Sequence, residues 1–97
     1  MPTYVSMLNW TEQGIKNYRD TTSRAEDFTK LVENSGGRVR ELLYTVGEYD
    51  IVTVADFPDD ETGTAVLLKL GALGNVRTHT MRAFDIDGMA SIISRTG

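Results

Sequence analysis

His79 is the only histidine among 97 residues, and histidine alone has an unperturbed side-chain pKa in the neutral range. Any proton transfer near pH 7 would start with it. On a strand it shares a face with Arg77 and Met81. It reads either as a hydrogen-bonded histidine of a sheet or interface, or as a catalytic general base or orienting group in a cavity between sheet and helices. Asn9, Trp10 and Tyr44 fall on strand ends or faces and join it as ligand-binding candidates, as does Arg77. Tyr49 and Asp50 belong to a Gly47-Glu48-Tyr49-Asp50 turn. Structurally, Asp50 would bond backbone N–H groups of that turn, and Tyr49 would pack its ring on the sheet with its hydroxyl on a polar partner. Functionally, both would line a ligand pocket at the end of the sheet. Glu48 and Asp50 lie two residues apart, which by itself does not make an acid–base pair.

Other chemistries are excluded or unsupported. With no cysteine there is no thiol nucleophile, no disulfide and no thiolate zinc site, and one histidine cannot make a multi-histidine metal cluster. We therefore read no metal site and no cofactor; a lone histidine without a supporting motif does not make a haem site. Gly71-Ala72-Leu73-Gly74-Asn75 resembles a glycine-rich phosphate loop only in composition. Phosphate loops follow a strand and open a helix, whereas this one closes a helix, whose C-terminus carries partial negative charge. The net charge is −4 and no segment is strongly basic, which argues against nucleic acid. The longest apolar run, Ala65 to Leu68, is far too short to span a bilayer. The N-terminus lacks a basic region followed by an apolar stretch, so a cytoplasmic protein is expected.

The elements that would position these residues follow from periodicity. Residues 3–10 are rich in β-branched and aromatic types and read as a strand. Tyr4, Ser6, Leu8 and Trp10 share one face, and Thr3, Val5, Met7 and Asn9 the other, with large apolar groups on both. Thr11 can cap a short helix over 12–20, weakened by Gly14. Ser23 and Glu26 have capping-box spacing. Ala25, Phe28, Leu31 and Val32 then recur at helical spacing, which predicts a helix over 23–35 stopped by Gly36-Gly37. A second strand over 38–46 places Leu42, Tyr44 and Val46 on one face and Val39, Glu41 and Leu43 on the other. The turn at 47–50 and a third strand, Ile51 to Phe57, complete a hairpin. Asp59 can cap the next helix, whose body over 62–73 is apolar nearly all round, with Lys69 its one charge. Such a helix is normally buried on more than one side, which predicts a partner subunit unless the C-terminal segment folds over it. A fourth strand over 76–86 and a short helix over 87–95 end the chain.

The order β-α-β-β-α-β defines one domain over residues 1–97 of α+β class. It is the ferredoxin-like arrangement: a four-stranded antiparallel sheet with both main helices on one face and a short C-terminal helix. Right-handed crossovers set strands one and three side by side at the centre, and we read that pair as parallel. The other face is left open yet keeps apolar residues, which predicts sheet-to-sheet association.

Gly47-Glu48-Tyr49-Asp50-Ile51-Val52 resembles the signature of the GYD domain family. Thr11-Glu12-Gln13-Gly14-Ile15, Arg24-Ala25-Glu26, Gly36-Gly37 and Gly71 to Thr78 extend the resemblance over almost the whole chain. It implies similarity to the dimeric α+β barrels, in which ferredoxin-like subunits pair through their sheets. The expected partners are thus the chain itself, as a homodimer or higher homo-oligomer, and a small-molecule ligand. The resemblance names no reaction. Some barrel relatives use the sheet–helix cavity for cofactor-independent oxidation or isomerisation, or for haem chemistry. The functional expectation is a small oligomeric protein that binds a small molecule in the sheet–helix cavity or serves as an assembly module. The alternative is a cofactor-independent oxygenase- or isomerase-like enzyme with His79 as its acid–base residue.

Overall fold

The alternating residues of Thr3–Trp10 form strand β1. In this computed structural model, which describes residues 1–97, β1 is followed by α1 (Glu12–Lys16), a single 3-10 turn (Tyr18–Asp20), α2 (Thr21–Asn34), β2 (Arg38–Tyr44), β3 (Ile51–Asp56), α3 (Asp60–Ala72), β4 (Val76–Ala83) and α4 (Ile86–Ser94). The four strands make one sheet in the order β2-β3-β1-β4, the ferredoxin-like α+β arrangement. No helix is long and apolar enough to cross a membrane.

β1 and β3 are central neighbours as expected, but they run antiparallel, with Thr3 opposite Asp56 and Leu8 opposite Ile51. The parallel reading fails for a topological reason. Each crossover helix joins strands that are parallel but not adjacent: β3 is inserted between β1 and β2, and β1 between β3 and β4. All three neighbouring pairs are therefore antiparallel.

Helix ends follow local hydrogen bonding. α2 begins at Thr21, two residues early, and Ser23 and Glu26 sit inside it without forming a capping box. The preceding 3-10 turn removes the need for one, since the Thr21 N–H already donates to the Tyr18 carbonyl. At its other end the Gly37 N–H reaches the Val32 carbonyl at 3.0 Å, and Gly36 takes φ +91°, a left-handed conformation natural to glycine. Asp59 caps α3 as expected, its carboxylate accepting from the Thr62 N–H at 2.7 Å. That bond holds the Asp59 carboxyl below its ordinary value.

α2 and α3 lie across one face of the sheet. Phe28, Val32, Ala55, Phe57 and Val66 form one buried cluster there, and Leu8, Ile51 and Val76 a second. A β-bulge between Val39 and Glu41 corrects the parity expected for β2. The extra residue, Arg40, turns Val39 to the helix face, where it packs against the first cluster as Leu42 does, while Glu41 and Leu43 stay on the opposite face. α3 turns Val66 inward and leaves Leu68 70% exposed, so the C-terminal segment does not fold over it. α4 buries none of its residues; Ile86 and Ile93 stand 89% and 60% exposed.

Asp56 anchors the end of the sheet away from the Gly47–Asp50 turn. Burial pushes its carboxyl upward, but hydrogen bonds from the Thr3 hydroxyl and Arg38, with the nearby Arg40 charge, outweigh this and hold it below the ordinary value.

Candidate functional site

At the opposite end of the sheet, segments distant in sequence clasp one another. Thr11, where the chain leaves β1, donates its N–H to the Asn75 carbonyl at 3.0 Å and its hydroxyl to the Gly74 carbonyl at 2.6 Å. The same hydroxyl caps α1 by accepting from the Gly14 N–H. The Gln13 amide donates to the Leu73 carbonyl and the Asn75 side chain. Gly14 is required by this approach, because a Cβ there would lie 2.0 Å from the Asn75 carbonyl oxygen. From α2, the Arg24 guanidinium donates to the carbonyls of Asn17 at 2.8 Å and Gly14 at 3.2 Å, pinning α1 to α2.

The Gly47–Asp50 turn closes the sheet at this end. The Asp50 carboxylate accepts from the Trp10 N–H at 2.9 Å, and the Asp50 N–H donates to the Leu8 carbonyl at 2.9 Å. Asp50 thus binds β1 just beyond the last β1–β3 pair, Leu8 with Ile51. Its carboxylate serves a neighbouring strand rather than its own turn. Asn9 reinforces the join by donating to the Glu48 carbonyl at 2.8 Å.

Beside this join, a cavity of about 350 Å³ opens between the sheet, α2 and α3. Trp10, Phe28 and Tyr44 supply aromatic surface, and Leu42, Leu70 and Val76 aliphatic surface. Its polar lining comes from Thr21, Arg24, Asp27, Thr53 and Asn75. The Tyr44 hydroxyl donates to the Thr21 carbonyl at 3.1 Å, tying β2 to the start of α2. The Trp10 indole N–H is buried and has no hydrogen-bond partner.

The sheet divides the residues singled out from the sequence. Trp10 and Tyr44 line the cavity. Asn9, Arg77 and His79 occupy the opposite face, with Asn9 across from Arg77 and His79 across from Met7. The Tyr49 ring meets the His79 ring there edge-on, with centroids 5.6 Å apart and planes at 64°. Asp50 lies between the two groups as a backbone acceptor. The sequence reading missed Thr11, Gln13, Arg24 and Asn75 as members of one clasp, and Phe28, Leu42 and Leu70 as cavity walls. The first four stand in the motifs that carry the family resemblance, so the signal was present without its geometry. The apolar three are marked only by core periodicity, which does not separate a filled core from one with space in it.

The sheet order, the one-sided helices and the clasped cavity define a ferredoxin-like α+β domain. The GYD domain family model matches residues 4–93, and the chain belongs to that family. It is 28% identical over 96 residues to the glutamine synthetase and cystathionine beta-lyase binding protein of Thermus thermophilus, covering 98% of each chain. Its fold is also similar to the crystal structure of TTHA0845 from Thermus thermophilus, with TM-score 0.54 and 22% identity over 88% of this chain and 95% of that one.

Proposed function

We propose that this protein is an assembly module: it pairs with a second copy through the open face of its sheet, and the pair binds larger protein partners. The observation that carries this reading is the uncovered apolar surface. Leu43 and Met81 on the open face are 54% and 49% exposed, beside half-buried Val5, Met7, Val52 and Val54. A soluble chain rarely leaves such a surface in water. α4 adds to it, because a nine-residue helix that buries nothing is marginal by itself and needs a surface to lie on. Self-association covers these surfaces in both copies at once. The Thermus relative is named as a protein that binds two enzymes, which supports metabolic enzymes as the partner class.

The test is light scattering on wild type and on a Leu43→Glu, Met81→Glu double variant, with binding of both to purified glutamine synthetase and cystathionine beta-lyase. The expected result is a paired wild type that captures at least one enzyme, and a double variant that folds, runs as one chain and captures neither. A wild-type monomer at micromolar concentration, or a double variant that stays paired, overturns the self-association. Failure of wild type to bind either enzyme overturns the partner class.

A second reading, binding of a small molecule between sheet and helices, is favoured by the 350 Å³ cavity. An enzyme built on His79 would work on the other face, where His79 is exposed beside Tyr49.

A further inference from the structure

We propose that the sheet–helix cavity takes a free α-amino acid with a large aromatic side chain. Its zwitterionic head lies at the mouth between Arg24 and Asp27, its ring fills the interior, and a polar tip meets the Thr53 hydroxyl on the floor. The inference rests on the small-molecule reading of the cavity and adds the chemical class of its occupant. A volume of about 350 Å³ lies within the range of small-ligand sites. Trp10, Phe28 and Tyr44 in the lining favour stacked or edge contacts with another ring.

Floor and mouth leave different polar groups unbonded. On the floor, Thr53 stands opposite Ser6 on the helix-covered face and is 3% exposed. Ser6 bonds Thr80 instead, and the Thr53 hydroxyl bonds no group of the chain. The Trp10 indole nitrogen is the one fully covered side-chain polar atom without a partner, out of reach of any occupant. The unpartnered Thr53 hydroxyl therefore keeps some open surface, and the open space beside Thr53 is the cavity. A hydroxyl both donates and accepts, which suits a phenol at the tip of the occupant. At the mouth, α2 presents Arg24 and Asp27 three residues apart on one side of the helix. Asp27 is exposed, and its carboxylate accepts from nothing in the chain. The Arg24 guanidinium directs two N–H groups to the Gly14 and Asn17 carbonyls and keeps the others free. Gly14 lies against the Asn75 backbone, so Asn75 stands beside Arg24. The Asn75 side-chain oxygen accepts from Gln13, which leaves its amide N–H groups free. Arg24 and Asn75 thus gather donors for a carboxylate, and Asp27, about one turn along, accepts from an ammonium. An anion alone leaves Asp27 unpaired, a cation alone stands beside Arg24 without a counter-charge, and an apolar molecule uses neither. The Thr21 hydroxyl is already engaged with Tyr44.

L-Tyrosine carries every feature of the class, and its analogues remove them in turn: L-phenylalanine the tip hydroxyl, tyramine the carboxylate, 3-(4-hydroxyphenyl)propanoate the ammonium, and 4-ethylphenol both charges. Binding is read near neutral pH by proton–nitrogen NMR, from the backbone signals of the cavity residues Leu42 and Val76. Tyrosine is expected to bind about tenfold or more tightly than tyramine, the propanoate and 4-ethylphenol, the range of a charge-assisted hydrogen bond. It is expected to bind roughly fivefold more tightly than phenylalanine, the range of one neutral hydrogen bond. Asp27→Asn should weaken tyrosine and tyramine but not the propanoate, and Thr53→Val should abolish the preference for tyrosine over phenylalanine. A singly charged probe or 4-ethylphenol that binds wild type as tightly as tyrosine overturns the zwitterionic class while leaving a ligand cavity. Equal binding of tyrosine and phenylalanine to wild type overturns the contact with Thr53. If no probe moves either signal, the cavity reading itself is overturned. The wild-type series stands as a test even if Thr53→Val fails to fold.

Discussion

On the helix-covered face of the sheet, Leu8, Ile51, Ala55 and Val76 are all less than a tenth exposed, whereas on the other face Leu43 and Met81 are about half exposed. Both faces come from the same strands, and both carry apolar residues. The covered face holds the two buried clusters and the cavity, and its helices are fastened by Arg24, Tyr44 and the Thr11–Asn75 contacts. On the open face the chain supplies polar contacts at the two ends, Asn9 with Glu48 and His79 against Tyr49 at one and Asp56 with Thr3 and Arg38 at the other. Apolar content therefore does not locate the core of this domain. Chain connectivity does, because both crossovers pass over one face and leave the other uncovered.

The largest effects should come from the covered face. Phe57 is 1% exposed between β3 and α3, so Phe57→Ala should cost about 3–5 kcal/mol through lost burial and the cavity it leaves, measured by urea denaturation. Met81→Ala on the open face should change the stability of the unpaired chain by no more than about 0.5 kcal/mol. Equal losses at the two positions would break the distinction between the faces.

A smaller effect is expected where the faces meet. Asp50→Ala removes the acceptor of the Trp10 N–H and should cost about 1–3 kcal/mol. Asp50→Asn keeps a side-chain oxygen and should restore part of that loss, as read by thermal unfolding. An Asn variant no better than Ala would show that the carboxylate charge, rather than the hydrogen bond, holds the join.

The smallest effect concerns pH at the far end of the sheet. The Asp56 carboxyl is held below its ordinary value by Thr3, Arg38 and Arg40 against its own burial. A carboxyl depressed in the folded state binds its proton more readily when unfolded. Its stabilisation is therefore fully present above about pH 4 and is lost as pH falls through the lower folded-state value. Urea midpoints measured from pH 6 down to pH 2 should fall less steeply for Asp56→Asn than for wild type; an unchanged slope would assign the acid loss to other carboxylates.

Much of the fold was legible in the residues. Strand-favouring residue types marked β1 and β4, the two-faced spacing of apolar residues marked β2, the Gly47–Asp50 turn marked the start of β3, helical spacing marked α2, and Asp59 marked the start of α3, because these are local preferences of backbone and side chain. The motifs also held Thr11, Gly14, Arg24, Asp50 and Asn75, but as separate signals. Their meeting depends on contacts 10 to 63 residues apart in sequence, and local periodicity carries no record of those. The bulge at Arg40 was hidden for a related reason: one inserted residue reverses the parity of everything beyond it, and only pairing with β3 reveals the insertion.

By itself, then, the sequence determined the element order, the helix boundaries to within a few residues, the absence of thiol chemistry and the presence of more apolar surface than one sheet–helix layer can cover. Only the tertiary structure decided that the central strands run antiparallel, that Trp10 and Tyr44 share a cavity while His79 and Tyr49 stand behind it, and that Asp50 serves β1. The physical reason is that a strand offers two faces with the same local chemistry. Which face becomes interior is set by where the crossover helices pass, a property of the whole chain.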